Sequence, residues 1–444
     1  MKTQNHRKAA VASLIGTTVE YYDFFIFGTA AALVFPQLFF PTSTPVAGTL
    51  LAFATLGVGF LARPLGSVVF GHFGDKIGRK QMLIISLSGM GLATFLMGLL
   101  PTHAQIGVAA PILLTLLRLL QGFMVGGEWG GATLMAVEHA PANKRGFYGS
   151  FPQTGAPAGV ALATVVFLAV AQLPDEAFLS WGWRVPFLVS IVLVAIGMFI
   201  RLSVAESPTF VAARKKHVLV KVPVVEAFRL HSKEIFITAG IYLSQGIFAY
   251  ITMSYLVNYG TTVVQIDRTH ALLGVFIGAL IQMVLCPLFG ALSDRIGRKT
   301  VYLMGAAAMG ISIGPAFMLI NTGNPWNFTL AIILAYGISM APAAGVTGTL
   351  FAMAFSPQVR YTGASVGYTI SQLCGSAFAP MIATALWAST GSSNSIVIYM
   401  VIASLISVLS VIALPGAWGA KERAQQLGQQ EATESEMSDS VSGQ

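Results

Sequence analysis

The sequence predicts an all-α integral membrane protein in which twelve spanning helices form two six-helix halves. Hydrophobic residues make up 55% of the chain and charged residues only 9%, whereas soluble domains carry about 25% charged residues. Apolar runs close to the ~20 residues that a bilayer requires recur along the chain. The phrase GHFGDKIGRK at residues 71–80 returns as GALSDRIGRK at 290–299, about half a chain later. A duplicated helical bundle accounts for all three observations.

Each span is an apolar run between polar or proline-containing turns, in which residues such as Pro41, Pro174 and Pro357 mark the breaks. The predicted spans of the first half are 9–35, 48–72, 82–101, 106–128, 148–172 and 184–203. Those of the second half are 234–259, 270–292, 300–320, 327–352, 362–388 and 393–414.

The domain organisation follows from where the apolar runs stop. Residues 1–203 form the N-terminal bundle and 234–414 the C-terminal bundle. Residues 204–233 are polar and basic, which indicates a cytoplasmic linker between the halves. The tail at 415–444 is rich in Gln, Glu and Ser, a composition typical of disorder.

Basic residues predict the orientation in the membrane. All but four of the 25 Lys and Arg lie at the N-terminus, in the even-to-odd loops or in the tail; the exceptions are Arg63, Arg118, Arg184 and Arg268. Because cytoplasmic loops carry the Lys/Arg excess, both termini are expected in the cytoplasm. The net charge of +8 thus reflects topology and does not indicate a nucleic-acid partner.

The composition also argues against metal or cofactor chemistry. Cys286 and Cys374 are the two cysteines, and both lie within apolar runs, so neither a disulfide framework nor a metal cluster is expected. The chain contains no phosphate-cradling loop and no nucleophile–base pattern. The sequence therefore predicts no metal site, no cofactor and no enzymatic activity.

Five charged residues stand out within the spans, away from the loops or next to a glycine-rich phrase, and all are in the first half: Glu20, Asp23, Arg63, Arg118 and Glu128. Such a residue costs at least ~2.5 kcal/mol at the bilayer centre, so it indicates function by default. Three acids face two arginines, which leaves one acid formally unpaired and able to bind a proton. The alternative is that pairs such as Asp23–Arg118 are fixed ion pairs that hold helices in register.

Individual roles follow from spacing and chemistry. Glu20 and Asp23 are three residues apart and share a helix face, so either is a candidate proton site. Glu128 lies in a glycine-rich phrase, and both gating and simple helix packing fit it. Arg63 and Arg118 are the cations available to meet an anion, and a guanidinium matches a carboxylate in bidentate fashion. An anionic substrate is therefore favoured, unless the acids of span 1 already occupy both arginines.

The second half supplies neutral polar groups in its spans. Tyr242 and Gln245 fall on one face of span 7, and Tyr368 and Gln372 lie in span 11. Their hydroxyl and amide groups suit the oxygen atoms of a small substrate. The alternative is that they bond neighbouring helices, as most polar residues in membrane bundles do.

An ordered set of phrases identifies a family resemblance. The phrases are ASLIG at 12–16, VEYYDFF at 19–25, RPLG at 63–66, RLLQG at 118–122, GEWGG at 127–131 and WGWRVPF at 181–187, together with the repeated loop. With them the chain resembles the major facilitator superfamily across all twelve spans. Within that superfamily it is similar to the bacterial metabolite:proton symporters, which include carriers for shikimate, α-ketoglutarate, citrate and proline/betaine.

The resemblance implies the major facilitator fold, a central cavity and alternating access in the bacterial inner (plasma) membrane. It implies uptake of a small metabolite driven by the proton gradient, with a monomer expected from the fold. Similar symporters pair an acid in span 1 with an arginine in span 4, and Asp23 and Arg118 occupy those positions. Asp23 is thus preferred over Glu20 as the proton site.

The resemblance also implies a cytoplasmic latch formed by the two loop copies and the loops that face them. Met353 stands where the family pattern has a Glu, so the latch is expected to be asymmetric. The latch residues are Asp75, Arg79 and Lys80 in the first copy, Asp294, Arg298 and Lys299 in the second, and Glu138, Arg145 and Arg360 opposite them.

Proton-coupled import of a small organic acid is the leading functional hypothesis. A zwitterionic osmolyte such as proline or betaine is the first alternative, although the family's osmolyte carriers have longer C-terminal tails. An antiporter is favoured only by the phrase GAPAG at 155–159, which also fits a kink with close packing. A transporter-like sensor is the remaining alternative, and the linker and tail are short for an output domain.

Overall fold

The structure is a computed structural model in which every regular element of the described residues is helical. The described residues are 2–77, 79–126, 136–137, 140–203, 223–355 and 360–414. Twelve principal helices, α1 to α12, correspond one to one with the twelve predicted spans. The predicted tail and residues 204–222 of the predicted linker lie outside the described residues.

The N-terminal half contains α1 to α6. Short helices at Phe35–Leu38, His103–Ile106 and Asp175–Ser180 occupy its turns. The principal helices are α1 (Lys2–Leu33), α2 (Pro45–Leu61 and Arg63–Ile77), α3 (Arg79–Leu99), α4 (Ala109–Val125), α5 (Arg145–Gly149 and Phe151–Ala171) and α6 (Val185–Ser203).

The C-terminal half contains α7 to α12, and three of these helices include a π-helical stretch. α7 begins at Pro223, inside the predicted linker, and bends at His231, whose backbone is not helical. The helices are α7 (Pro223–Tyr250, Ile251–Tyr255 as π-helix, Leu256–Thr262), α8 (Arg268–Ile296), α9 (Arg298–Ile320), α10 (Pro325–Ile332, Ile333–Ile338 as π-helix, Ala341–Ala354), α11 (Arg360–Ser371, Gln372–Ser376 as π-helix, Ala379–Thr390) and α12 (Asn394–Ala413).

The helices have the length and composition that a bilayer requires. Among the described residues, nine helical segments are long and apolar enough to cross a membrane, and α3 and α4 contain shorter apolar stretches. α1 carries Glu20 and Asp23. Large apolar side chains such as Phe199, Ile311 and Met318 are at least 75% exposed on the outside of the bundle. Such an exposed apolar belt is expected where lipid is the solvent.

Local sequence explains where helices begin and turn. Asn324 caps α10 by accepting a hydrogen bond from the Trp326 amide at 2.9 Å, and Pro325 follows in the first helical position. The turn of the second loop copy has Gly297 at φ +96°, a conformation that favours glycine. We call the end of the bundle that holds Lys2, Ile77 and Ala413 the termini face, and the other end the opposite face.

Small residues bring helices into close contact at the centre of the bundle. α1 packs along α5, and an added Cβ on Gly155 or Gly159 would lie 2.6 Å from a backbone carbonyl oxygen of α1. The GAPAG phrase is thus used for close packing. The two halves meet where α5 lies against α8 and where α2 lies against α11.

Candidate functional site

A chain of hydrogen bonds connects Asp23 of α1 to Arg118 of α4 in the core of the N-terminal half. Arg118 Nη1 donates to Gln121 Oε1, and Gln121 Nε2 donates to Thr94 Oγ1 at 2.7 Å. Thr94 Oγ1 in turn donates to Asp23 Oδ2 at 3.0 Å. All three donors point towards the carboxylate, so the bonds form one continuous path between the two charged side chains.

The direct ion pair expected between Asp23 and Arg118 does not form among the described residues; Gln121 and Thr94 stand between them. Both charged side chains are completely buried. Asp23 Oδ1 and Arg118 Nε and Nη2 are buried without a hydrogen-bond partner in the protein. A buried charge with unused bonding capacity is costly, so both side chains are candidates for contact with a ligand or a proton.

Arg63 and Arg118 lie on the same aromatic ring. The Arg63 guanidinium carbon is 4.3 Å from the centre of the Phe24 ring, and that of Arg118 is 4.8 Å from it. Arg63 also contacts Phe60, and Arg118 contacts Phe27, each at 4.3 Å. The aromatic faces hold both cations in place without neutralising them.

Two further features shape this cationic centre. Glu20 is buried one turn before Asp23 on the same helix. An added Cβ on Gly59 would lie 2.7 Å from Arg118 Nε, so this glycine of α2 admits the guanidinium. The structure therefore brings four predicted residues, Glu20, Asp23, Arg63 and Arg118, into one region.

The C-terminal half presents a neutral polar cluster. The rings of Tyr242 and Tyr368 are 4.8 Å apart, and Gln372 Nε2 donates to the Tyr368 hydroxyl at 2.6 Å. Gln245 Oε1 accepts from Thr347 Oγ1 at 2.7 Å. All four predicted polar residues are buried. They lie on α7 and α11, with Thr347 on α10.

Tyrosines join the two regions across the central interface. The Tyr21 and Tyr368 hydroxyls are 3.1 Å apart, and either can be the donor. The ring of Tyr250 from α7 lies between Phe25, at 6.1 Å, and Phe60, at 5.4 Å. The cationic centre and the polar cluster therefore face each other across the boundary between the halves.

Three residues of this site, Gln121, Tyr21 and Thr94, are not among those predicted from the sequence. Gln121 follows Arg118 by three residues, so its position on the same helix face was a usable signal. Tyr21 lies between the two acids of span 1, but nothing in the local pattern distinguishes it from Tyr22. Thr94 lies 71 residues from Asp23, and no spacing rule connects them.

The second loop copy fastens the halves together at the termini face. Asp294 accepts hydrogen bonds from the backbone amides of Gly146 at 2.8 Å and Phe147 at 3.1 Å, at the start of α5. Arg298 Nη2 lies 3.8 Å from Asp294, and Arg298 Nη1 lies 2.7 Å from Met353 Sδ. A sulfur atom thus meets Arg298 at the position where the family pattern has a carboxylate.

Of the other predicted latch residues, Lys299 and Arg145 lie in the described part of the chain with their side chains. Lys299 Nζ donates to the carbonyl of Leu414, within the same half. Arg145 begins α5. Glu128 and Glu138 lie outside the described residues. The side chains of Asp75, Arg79, Lys80 and Arg360 also lie outside the described part of the chain.

No group of three or more metal-ligating side chains occurs among the described residues. The arrangement is instead a buried, cationic and aromatic centre opposite a neutral polar surface. It can bind a small anion, and it contains a carboxylate that can exchange a proton.

Comparisons with known proteins place this geometry in a wider context. Two family models match: "Sugar (and other) transporter" over residues 8–222 and "Major Facilitator Superfamily" over residues 261–438. A shikimate transporter of Escherichia coli K12 is 42% identical over 417 residues, which cover 92% of this chain and 94% of that protein.

Other relatives show the same full-length similarity. The inner membrane metabolite transport protein YhjE of Escherichia coli K12 is 41% identical over 87% of this chain and 89% of that protein. The glycine betaine/proline/ectoine/pipecolic acid transporter OusA of Dickeya dadantii is 34% identical over 91% and 82%.

Among solved structures, the crystal structure of a D-xylose-proton symporter matches with a TM-score of 0.70 at 18% identity. The match covers 93% of this chain and 97% of that one. It confirms the predicted fold class.

Proposed function

This chain belongs to the major facilitator superfamily, to its metabolite:proton symporter family, and on that premise we propose that it imports a small organic acid together with a proton. The membership makes it a multi-pass membrane transporter and not an enzyme.

The observation that supports a carboxylate substrate is the pair of guanidinium groups that lie on the Phe24 ring. Arg63 Nε and Arg118 Nε and Nη2 are buried donors without a hydrogen-bond partner in the protein. A carboxylate accepts two parallel N–H bonds from a guanidinium and brings the charge that such a centre requires. Tyr242, Gln245, Tyr368 and Gln372 then face the hydroxyl or keto oxygens of the same molecule.

Proton coupling is assigned to Asp23 through its connection to Arg118. While Asp23 is ionised, the chain through Thr94 and Gln121 partly compensates the charge of Arg118. Protonation of Asp23 removes that compensation and leaves Arg118 free to attract an anion. Protonation of Asp23 therefore favours binding of the anion, and binding of the anion favours protonation. This reciprocity is what symport requires.

Two findings favour an acid over a zwitterionic osmolyte. Recognition of a quaternary ammonium group requires an aromatic face that is open to a cation. In this site the chain's own arginines already lie on Phe24, Phe27 and Phe60. The shikimate transporter is also a nearer relative, at 42% identity, than the betaine carrier at 34%.

The orientation and assembly are part of the proposal. The Lys/Arg distribution supports a cytoplasmic termini face, and the relatives support the bacterial inner membrane. The protein acts as a monomer, because each half completes the central site of the other. Alternating access then means that the halves separate first at one face and then at the other.

Proton movement in proteoliposomes tests the proposal. The protein is reconstituted with a pH-sensitive dye in the lumen, and shikimate, keto acids, di- and tricarboxylates, proline and betaine are added outside in turn. We expect one acid to acidify the lumen, and a protonophore to remove the response. Acidification by betaine or proline but by no acid supports the osmolyte alternative. Binding of a compound without proton movement refutes symport.

A pair of arginine variants identifies the site that binds the acid. Arg118→Gln should abolish the response. Arg184→Gln should retain it, because Arg184 is an equally charged residue that bonds the carbonyls of Gly98 and Leu100 away from the central site. Equal loss in both variants would contradict the assignment of the anion site.

A further inference from the structure

Arg268, the first residue of α8, reaches from the C-terminal half into the N-terminal half at the opposite face. Its Nε and Nη2 donate to the Ala171 carbonyl oxygen at 3.1 and 2.9 Å, and Nη2 also donates to the Leu173 carbonyl. Its Nη1 is 2.6 Å from Asp175 Oδ1. One side chain thus holds the end of α5 by several contacts.

The surroundings of Arg268 strengthen these contacts. Its guanidinium carbon lies 4.3 Å from the centre of the Phe178 ring. The Arg268 side chain is 19% exposed, whereas that of Asp175 is 87% exposed. The carbonyl bonds are therefore the shielded part of the contact, and the ion pair, which solvent screens, adds little to it.

The other end of α5 is held by the same helix. Asp294, near the end of α8, accepts from the amides of Gly146 and Phe147 at the start of α5. A helix carries partial positive charge at its N-terminus and partial negative charge at its C-terminus. α8 therefore presents an anion to the positive end of α5 and a cation to its negative end, and each contact crosses the boundary between the halves.

Arg184 makes the same kind of contact inside one half, so it is a control that distinguishes a structural role of such an arginine from a gating role. Arg184, beside α6, donates to the carbonyls of Gly98 at 2.9 Å and Leu100 at 2.6 Å at the end of α3, and it lies 4.5 Å from the Trp183 ring. The chemistry is that of Arg268, but both partners belong to the N-terminal half. Loss of Arg184 leaves the boundary between the halves unchanged.

We infer that Arg268 fastens the two halves at the opposite face and must release the end of α5 each time the transporter opens there. With Asp294 at the termini face, the α5–α8 pair carries one fastening for each gate. Alternating access then requires that the two fastenings open in turn. This inference rests on the alternating-access part of the proposed function and is independent of which substrate is carried.

Distances between spin labels test the inference without any substrate. In a background of Cys286→Ser and Cys374→Ser, labels are attached to cysteines that replace the exposed residues Ala104 and Ala388, one on each half at the opposite face. Pulsed electron–electron double resonance then measures the populations with short and long label separations. The full-length protein is measured in lipid nanodiscs.

Arg268→Ala should raise the ratio of long to short separations by at least about tenfold, the lower limit for the loss of one charge-assisted hydrogen bond. Arg184→Ala should leave that ratio unchanged. Arg268→Lys should give an intermediate ratio, because an ammonium group cannot reach two carbonyls and a carboxylate in the geometry of a guanidinium. It also serves as the test if the alanine variant does not fold.

Two outcomes would overturn the inference. In one, both Arg268 variants leave the separations at the opposite face as they are in the unmodified protein. In the other, Arg184→Ala increases the separations as much as Arg268→Ala does, which would show that the effect is a general loss of helix-end bonding. A negative result in the dye assay would leave these distances interpretable, so failure of the transport proposal can be distinguished from failure of this one.

Discussion

Replacement of Asp294 by Asn should open the termini face. The Asp294 side chain is only 9% exposed and accepts from the Gly146 and Phe147 amides. Asn keeps one acceptor oxygen, but its amide group turns N–H donors towards the second backbone N–H. The variant therefore loses one charge-assisted bond and the favourable charge at the start of α5.

The size of the effect follows from those two losses. A hydrogen bond to a charged group contributes about 1.5–3 kcal/mol, and a charge at a helix N-terminus about 0.3–1 kcal/mol. Because part of this is recovered by solvent once the face opens, we take about 2 kcal/mol, which shifts the equilibrium between closed and open states about 30-fold. The binding centre lies away from this contact, so substrate affinity at the central site should change little.

Spin labels at the termini face measure the shift. Cysteines replace the exposed residues Asn143 and Thr300, one on each half, and the long-separation population should rise in Asp294→Asn. Asp267→Asn is the matched control, since Asp267 accepts from the Thr269 amide of its own helix. Burial raises the pKa of Asp267, but hydrogen bonds from Thr269 outweigh that effect and hold it below its usual value, so this acid is ionised at neutral pH.

Unchanged separations in Asp294→Asn would refute the reasoning. So would an equal shift in Asp267→Asn, because that residue does not cross the boundary between the halves. A large loss of substrate affinity with normal separations would place Asp294 in binding rather than in gating.

Three further predictions concern the central site and the packing around it. Asp23→Asn should abolish proton-driven accumulation and retain substrate exchange, which counterflow in proteoliposomes measures; normal uphill uptake would remove Asp23 from coupling. Tyr368→Phe should weaken substrate binding by about tenfold or less, the contribution of one neutral hydrogen bond, as seen by calorimetry, and unaltered affinity would exclude contact with the hydroxyl. Gly159→Leu should lower thermal stability, because its side chain would enter the backbone of α1; an unchanged melting temperature would contradict that packing.

Much of the fold was predictable from the sequence because membrane helices are specified by composition over about 20 residues. The twelve apolar runs each became a principal helix. The bounds were less predictable where polar residues continue a helix beyond the apolar run. α7 begins at Pro223, whereas the apolar run suggests a start near residue 234, since the bend at His231 joins a polar helical segment to the span.

The candidate site was predictable in its charges and not in its connections. An acid or arginine in an apolar span is conspicuous, so Asp23 and Arg118 were found. Thr94 was not, because threonine is tolerated at many positions in a span and only the packing of α3 against its neighbours determines which one meets Asp23. Arg268 was recognised only as an exception to the Lys/Arg distribution, because its main partners are backbone carbonyls, which carry no sequence signal.

The π-helical stretches give the C-terminal half a property that the charges do not reveal. In the described residues all three lie in that half, and their wide turns close through bonds such as Ser339 N to Leu334 O at 3.1 Å and Ala377 N to Gln372 O at 2.8 Å. Each wide turn holds one residue more than regular helix periodicity would place there.

Relative to a regular helix of the same sequence, the residues after the stretch are rotated about the helix axis by about 100°, one residue's share of a 3.6-residue turn. Deleting Gly375, for example, would restore an ordinary helix and leave Ala379–Thr390 packed against α2, because the wide turn already keeps that segment where a helix one residue shorter would place it. Side chains before and after each stretch therefore follow separate angular registers, and a helical wheel drawn through the whole of α7, α10 or α11 misplaces the residues after the stretch by about 100°.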